Sequence, residues 1–200
     1  MLAAGAFTFR NAYRTLRILR DRTNNAWAEL RALLADRHLV VTHLIDATEQ
    51  RLSGRSKLGL LEWAHKQAQV CLEKASEDLL TAADLDAISQ SERRLSEILG
   101  KTMTVLHTHR GVAHAGPIRG CVEGIQSLER KLLLARVAYN DAATTYTAYA
   151  SSAPISWITR LLDYQESYQL IDWGFPLHNQ VPIRQRSRAA QAKVDADVDV

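Results

Sequence analysis

One pair of residues has the spacing of a known metal site, Glu62-x-x-His65. Residues i and i+3 share a face of a helix, and helical di-iron proteins use this pair on two helices together with two further glutamates. The 200-residue chain contains the pair once. The pattern therefore favours a solvated pair on a helix surface over a metal site.

Three further histidines, His107, His109 and His114, surround a cluster of glycines. His107 and His109 point to opposite sides of a helix, while His107 and His114 share a face only if the helix continues past Gly111. We therefore interpret these histidines as solvated residues of a turn rather than as metal ligands.

Nucleophile and phosphate-binding motifs are missing, because the sequence contains no G-x-S-x-G, G-x-x-x-x-G-K-[ST] or G-x-G-x-x-G. Cys71 and Cys121 lack the spacing of a zinc site or a disulfide framework and are interpreted as small packing residues. We predict a protein that is not an enzyme and that has no catalytic residue, no metal, no cofactor and no small-molecule substrate.

Positive charge is concentrated near the start of the chain, although the net charge of +3 is small. Five arginines follow the apolar stretch 2–9 with one acidic residue, Asp21, among them: Arg10, Arg14, Arg17, Arg20 and Arg22. Eight apolar residues are too few for a bilayer, which needs about 20, and no basic region precedes them. The sequence predicts neither a transmembrane span nor a signal peptide. Arg10, Arg14 and Arg17 suit an anionic membrane surface or, equally, a solvated helix face.

A long first helix must position these arginines. Residues 6–53 contain neither glycine nor proline, and all four prolines lie at or after Pro117. Two rows of positions spaced by seven, 16 to 44 and 19 to 47, are apolar at eight of ten places, which is the periodicity of a helix. The pattern predicts a helix from Arg10 to Leu52, roughly 60 Å long at about 1.5 Å per residue.

Later apolar stripes predict four more helices. The second spans about 58–80, the third begins at an N-cap, Asp84, and a turn falls within 107–120. The fourth helix ends at 151–154. A shorter fifth helix then carries five apolar residues: Ile158, Leu161, Leu162, Tyr168 and Ile171.

The composition, 46% apolar and 24% charged, is that of one ordinary globular domain. We predict an all-α fold over residues 1–173, an elongated antiparallel bundle of four long helices plus a shorter C-terminal helix. The polar run 174–200 is predicted to be a disordered tail.

Two blocks of residues share types and spacing with a known family. The first block contains Tyr13-x-x-Leu16-x-x-Leu19-Arg20, Ala26-Trp27, Arg37-His38 and Leu44-Ile45. The second contains Glu129, Ala135-Arg136, Tyr139-Asn140-Asp141-Ala142, Tyr146 and Pro154. Over 15–50 and 125–165 the chain resembles the bacterial LemA family, as a divergent member that lacks the usual N-terminal transmembrane helix. The resemblance implies a helical bundle and brings no active site, because none is established for the family.

Structural roles are expected at the matched positions. Arg37 lies in the first of the two apolar rows, where an unpaired charge is costly. We therefore expect Glu129 or another acidic side chain of a facing helix to pair with it. Trp27 is expected to anchor the core. The remaining matched positions include a predicted polar layer that fixes the register between helices, Arg136, Tyr139 and Asn140, and three residues of the first helix, Tyr13, Leu16 and Arg20.

The resemblance and the missing catalytic motifs point to a non-enzymatic, LemA-like scaffold or interaction protein whose protein partner is not identified. We expect it in the cytoplasm or on the cytoplasmic face of the inner membrane. One alternative is a nucleic-acid-binding bundle that uses the N-terminal arginines and those at 184–188, although aspartates at 195–199 argue against it. A di-iron carboxylate enzyme is the less favoured alternative.

Overall fold

The computed structural model describes residues 2–51, 58–75, 82–108, 116–153, 155–161 and 168–171. In these ranges the chain forms five α-helices: α1 (Leu2–Glu49), α2 (Gly59–Lys74), α3 (Ala82–Thr108), α4 (Gly116–Ser151) and α5 (Ile155–Leu161). No strand occurs among the residues so described, and the predicted all-α fold is confirmed. In the same part of the chain, no helix is both long and apolar enough to cross a lipid bilayer.

The first pair of helices consists of α1 and α4, which run antiparallel. Near one end Arg22 lies 3.1 Å from Asp141, and near the other Val40 packs beside Gly124. With 48 residues, α1 is about 72 Å long at about 1.5 Å per residue, which exceeds the predicted length because the helix begins at Leu2.

The second pair consists of α2 and α3, which are also antiparallel. The guanidinium of Arg94 lies 4.5 Å above the Trp63 ring, and at the opposite end Leu72 and Leu85 belong to one buried cluster. This pair packs against the second half of α1 and the first half of α4. The result is the predicted antiparallel bundle, with α5 beside the first half of α1.

Three clusters of buried side chains follow the long axis of the bundle. At the end formed by the second half of α1, the cluster includes Val41, Leu44, Leu61, Leu99 and Ile125. The middle cluster includes Trp27, Leu34, Leu85, Leu132 and Tyr139. The third joins α1 to α4 and α5 through Ala12, Leu16, Tyr146, Ala150 and Ile155. Aliphatic residues dominate the first cluster, while tyrosine and tryptophan enter the other two.

The predicted buried face of α1, which consists of two rows of apolar positions and is called the seam, is half correct. Its first row, positions 16, 23, 30, 37 and 44, is buried at every place. Its second row, positions 19 to 47, is only half-buried, and the second buried row lies one residue later: Trp27, Leu34, Val41 and Thr48. The reason is that α1 packs against helices on two sides, so its buried stripe is broader than the seam of a two-stranded coil.

The predicted extent of the last helix differs from the structure. Helix α5 ends at Leu161, and residues 168–171 are not helical, so Tyr168 and Ile171 do not belong to it as predicted. These two residues are held instead by contacts with α1 and α4. The described end of α3 and start of α4 agree with a turn in 107–120, while His109, His114 and the predicted tail 174–200 lie outside the described residues.

Candidate functional site

A buried ion pair joins α1 to α3. Nη1 of Arg37 donates to Oε2 of Glu92 at 2.8 Å, and Nη2 donates to the Ser96 hydroxyl at 2.7 Å. Arg37 and Glu92 are both 0% exposed. The predicted ion pair of Arg37 is confirmed, and Glu92 supplies the acidic partner on a facing helix.

Two histidines extend this contact to α2. Nε2 of His38 lies 2.9 Å from Oε1 of Glu92, and because an ionised carboxylate only accepts, the imidazole N–H donates. The His65 ring of α2 lies 5.2 Å from the His38 ring, centroid to centroid. We call these five residues the buried layer: Arg37, His38, His65, Glu92 and Ser96.

Burial controls protonation in this layer. Desolvation lowers the pKa of His65, the charges of His38 and Arg37 lower it further, and Glu92 and a hydrogen bond with the His38 backbone oppose them. On α4, burial raises the pKa of Glu129, and the positive charge of Arg37 lowers it by less. The layer therefore favours a neutral imidazole at His65.

The predicted solvated pair of Glu62 and His65 is wrong for the histidine. His65 is buried and packs against His38, and Glu62 is half-buried. His65 faces α1 because it shares the buried stripe of α2 with Leu61 and Leu72. Within the described ranges, no group of three or more His, Cys, Asp and Glu residues is arranged to hold a metal ion.

A second set of contacts holds residues 168–171, which we call the C-terminal segment. Asn140 of α4 binds both the N–H and the carbonyl of Ile171 at 2.9 Å. The Tyr139 hydroxyl donates to the Gln169 carbonyl at 3.3 Å, and the Tyr168 N–H donates to Oγ1 of Thr147 at 3.2 Å. All four hydrogen bonds engage the backbone of the segment, so their geometry does not depend on its side chains.

The Tyr168 side chain of the same segment contacts both α1 and α4. The Tyr168 hydroxyl donates to Oδ1 of Asn24 at 3.1 Å, and its ring packs edge-on against Tyr146 at 5.0 Å. Burial raises the pKa of Tyr168, while the charge of Arg20 and its hydrogen bond lower it. Two neighbouring helices thus share one short segment.

Several of the matched positions therefore converge on the C-terminal segment. Tyr139 and Asn140 bind its backbone, which differs from the predicted polar layer because their partners are backbone groups rather than side chains of facing helices. Trp27 lies in the core as expected, edge-on to Tyr139 at 6.0 Å. Leu16 is buried, Arg136 is half-buried, and Arg20 contacts Tyr168.

The start of α1 presents a third feature, a surface of arginine and aromatic side chains. Arg10, Arg14 and Arg17 are exposed, and beside them Phe9 and Tyr13 are 43% and 37% exposed. We call these five residues the N-terminal patch. On α5, Ile155 packs in the cluster with Ala12 and Leu16, and the neighbouring Trp157 is 79% exposed.

The fold and these contacts define an all-α protein in which two antiparallel helix pairs are joined through a buried ionic layer. No family model matches the chain, and no curated protein sequence matches it either. The resemblance to the LemA family therefore stays a prediction.

Proposed function

We propose that the chain is a non-enzymatic helical scaffold that binds the cytoplasmic face of a membrane through the N-terminal patch and presents its long helices to a protein partner. The observation that carries this proposal is the exposure of three arginines and two aromatic rings on one side of α1. The LemA resemblance in the sequence points to the same kind of protein.

The spacing of the patch suits a flat anionic surface. Positions 10, 14 and 17 lie on one helix face, and positions 9 and 13 lie beside them. Aromatic rings favour the headgroup region of a bilayer, and each basic residue near anionic lipid contributes about 1 kcal/mol. Asp21 lies 4.0 Å from Arg17 with both side chains exposed, so it screens the patch weakly.

The test is binding to lipid vesicles. We expect the chain to sediment with vesicles that contain phosphatidylserine and to stay in solution with vesicles of phosphatidylcholine alone. The triple variant R10Q/R14Q/R17Q should bind the anionic vesicles about 100-fold more weakly, since it loses about 3 kcal/mol. Added salt should weaken binding of the unmodified chain.

A matched control has the same change in net charge at exposed basic residues elsewhere, R93Q/K101Q/R130Q. This variant should bind like the unmodified chain. The membrane proposal fails if the chain does not bind the anionic vesicles, or if both triple variants bind them equally. Loss of DNA or RNA binding in R10Q/R14Q/R17Q, without vesicle binding by the unmodified chain, would favour the nucleic-acid alternative instead.

A further inference from the structure

The buried layer lies where the two helix pairs meet. Arg37 and His38 belong to the α1–α4 pair, whereas His65, Glu92 and Ser96 belong to the α2–α3 pair. The Arg37–Glu92, Arg37–Ser96 and His38–Glu92 hydrogen bonds all cross this junction, and so does the contact between the two imidazole rings. Any change of charge in the layer therefore acts on the contact between the pairs.

Within the layer, the charges of Arg37 and Glu92 balance each other while His65 is neutral. Arg37 then faces one carboxylate, Glu92, and Glu129 of α4 adds a half-buried carboxyl near Arg37. Nδ1 of His38 and Nε2 of His65 are buried and have no hydrogen-bond partner within the described ranges. A proton on either nitrogen would create a buried cation whose new N–H group lacks an acceptor.

On α2, a further charged residue, Glu62, lies one turn before His65 and is half-buried. Glu62 and Glu129 are carboxyl groups that could offset a positive charge on His65. Acidification also protonates carboxyl groups, which removes negative charge from the surroundings. Every change that accompanies falling pH therefore makes the junction more positive.

We propose that the buried layer is an acid-responsive joint, in which proton uptake by His65, buried against the His38 ring and close to Arg37, separates α2 and α3 from α1 and α4. The closed bundle binds fewer protons than the open one, so acid shifts the population toward the open form. The lowered pKa of His65 agrees with this direction. The α1–α4 pair keeps its own apolar cluster around Leu16 and Tyr146 when the joint opens.

Backbone hydrogen exchange tests the joint, because a helix of 16 residues such as α2 is marginal once it leaves the bundle. Exchange is measured by mass spectrometry at about pH 7.5 and about pH 5, on either side of the ordinary histidine pKa, and corrected for the intrinsic pH dependence of the chemistry. We expect acid to speed exchange in α2 and α3 by about tenfold or more, because the open form gains population as His65 takes up a proton. Residues 12–23 and 139–150 should keep their protection.

Histidine variants separate the joint from ordinary acid unfolding. H38Q/H65Q keeps hydrogen-bonding side chains of similar size without a titrating group, and it should lose the acid response. H43Q removes an exposed histidine of α1 and should respond like the unmodified chain. The single variant H65Q, which leaves the His38–Glu92 contact intact, should also lose the response.

Two results would overturn the proposal. The first is equal loss of protection in all four long helices of the unmodified chain, which indicates global unfolding. The second is an unchanged acid response in H38Q/H65Q, which assigns the proton uptake to other groups.

Discussion

The amide of Asn140 binds both backbone groups of Ile171, donating from Nδ2 to the carbonyl and accepting at Oδ1 from the N–H, each at 2.9 Å. One side chain thereby satisfies two backbone polar groups, as the backbone of a neighbouring strand does in a β-sheet. The Ile171 side chain is 2% exposed and joins the middle core cluster with Ala75 and Leu85. The contact therefore closes the end of the α2–α3 pair.

Replacing this amide should destabilise the bundle. Asn140→Ala removes both hydrogen bonds and leaves the partly buried N–H and carbonyl of Ile171 without these partners. We therefore expect the free energy of unfolding to fall by about 2 kcal/mol. Urea titration followed by circular dichroism measures the loss. Gln126→Ala, at an exposed position of the same helix, is the control and should change the free energy by less than about 0.5 kcal/mol. Equal midpoints for the two variants would show that Asn140 does not hold the segment.

The Arg37–Glu92 pair should depend strongly on both partners. Arg37→Met leaves the buried carboxylate without its guanidinium, and removal of one partner of such a pair costs about 3–5 kcal/mol. Arg93→Met is the matched control, because Arg93 and Glu97 form an exposed pair whose loss costs at most about 0.5 kcal/mol. Chemical denaturation of both variants provides the comparison.

A double variant tests whether the cost lies in the uncompensated charge. R37M/E92M replaces both ions by apolar side chains, so it should be more stable than Arg37→Met alone. If the double variant is the less stable of the two, the carboxylate is held mainly by other groups of the layer, such as His38.

The periodicity of α1 predicted a buried helix and an ion pair at Arg37, because an arginine in an apolar row needs an acidic partner. It did not identify Glu92, which is 55 residues away in the sequence and becomes a neighbour only after the helix pairs assemble. The burial of His65, by contrast, could have been predicted from the sequence. The spacing of Leu61, His65 and Leu72 places the histidine on the buried stripe of α2, where a solvated side chain does not fit.

The non-helical conformation of the C-terminal segment could not be predicted from the local sequence, for a different physical reason. Tyr168 and Ile171 are three residues apart, a spacing that suits one face of a helix and also two anchors of a non-helical segment. What decides between these forms is the backbone contact with Asn140 and Thr147, and such tertiary hydrogen bonds leave no periodic pattern.

Neighbouring leucines test the corrected seam of α1. Leu34 is 0% exposed and lies in the second buried row, whereas Leu33 lies in the predicted row and is half-buried. Leu34→Ala should cost about 2–5 kcal/mol through lost burial and the cavity, and Leu33→Ala should cost less than half as much. Thermal and urea unfolding of the two variants give the comparison. A larger cost at Leu33 would restore the predicted register and contradict the structure.

Two titrating groups, buried His65 and half-buried Glu129, should shape the pH dependence of stability in opposite ways. Burial lowers the pKa of His65 from its ordinary 6.5, so the unfolded chain binds more protons below that value and stability falls as the pH drops through 6.5. Burial raises the pKa of Glu129 from 4.5, so the folded chain binds its proton more tightly and stability falls as the pH rises above 4.5.

Separate variants should remove each effect. Glu129→Gln eliminates the cost of the half-buried charge, so near neutral pH it should raise the free energy of unfolding by up to about 1 kcal/mol, the size expected after solvent screening. His65→Gln should flatten the decline below pH 6.5 while leaving the effect of Glu129 in place. Urea midpoints measured at a series of pH values distinguish the two. Profiles of Glu129→Gln and the unmodified chain that stay superimposed from acid to neutral pH would show that the carboxyl is solvated in the folded protein.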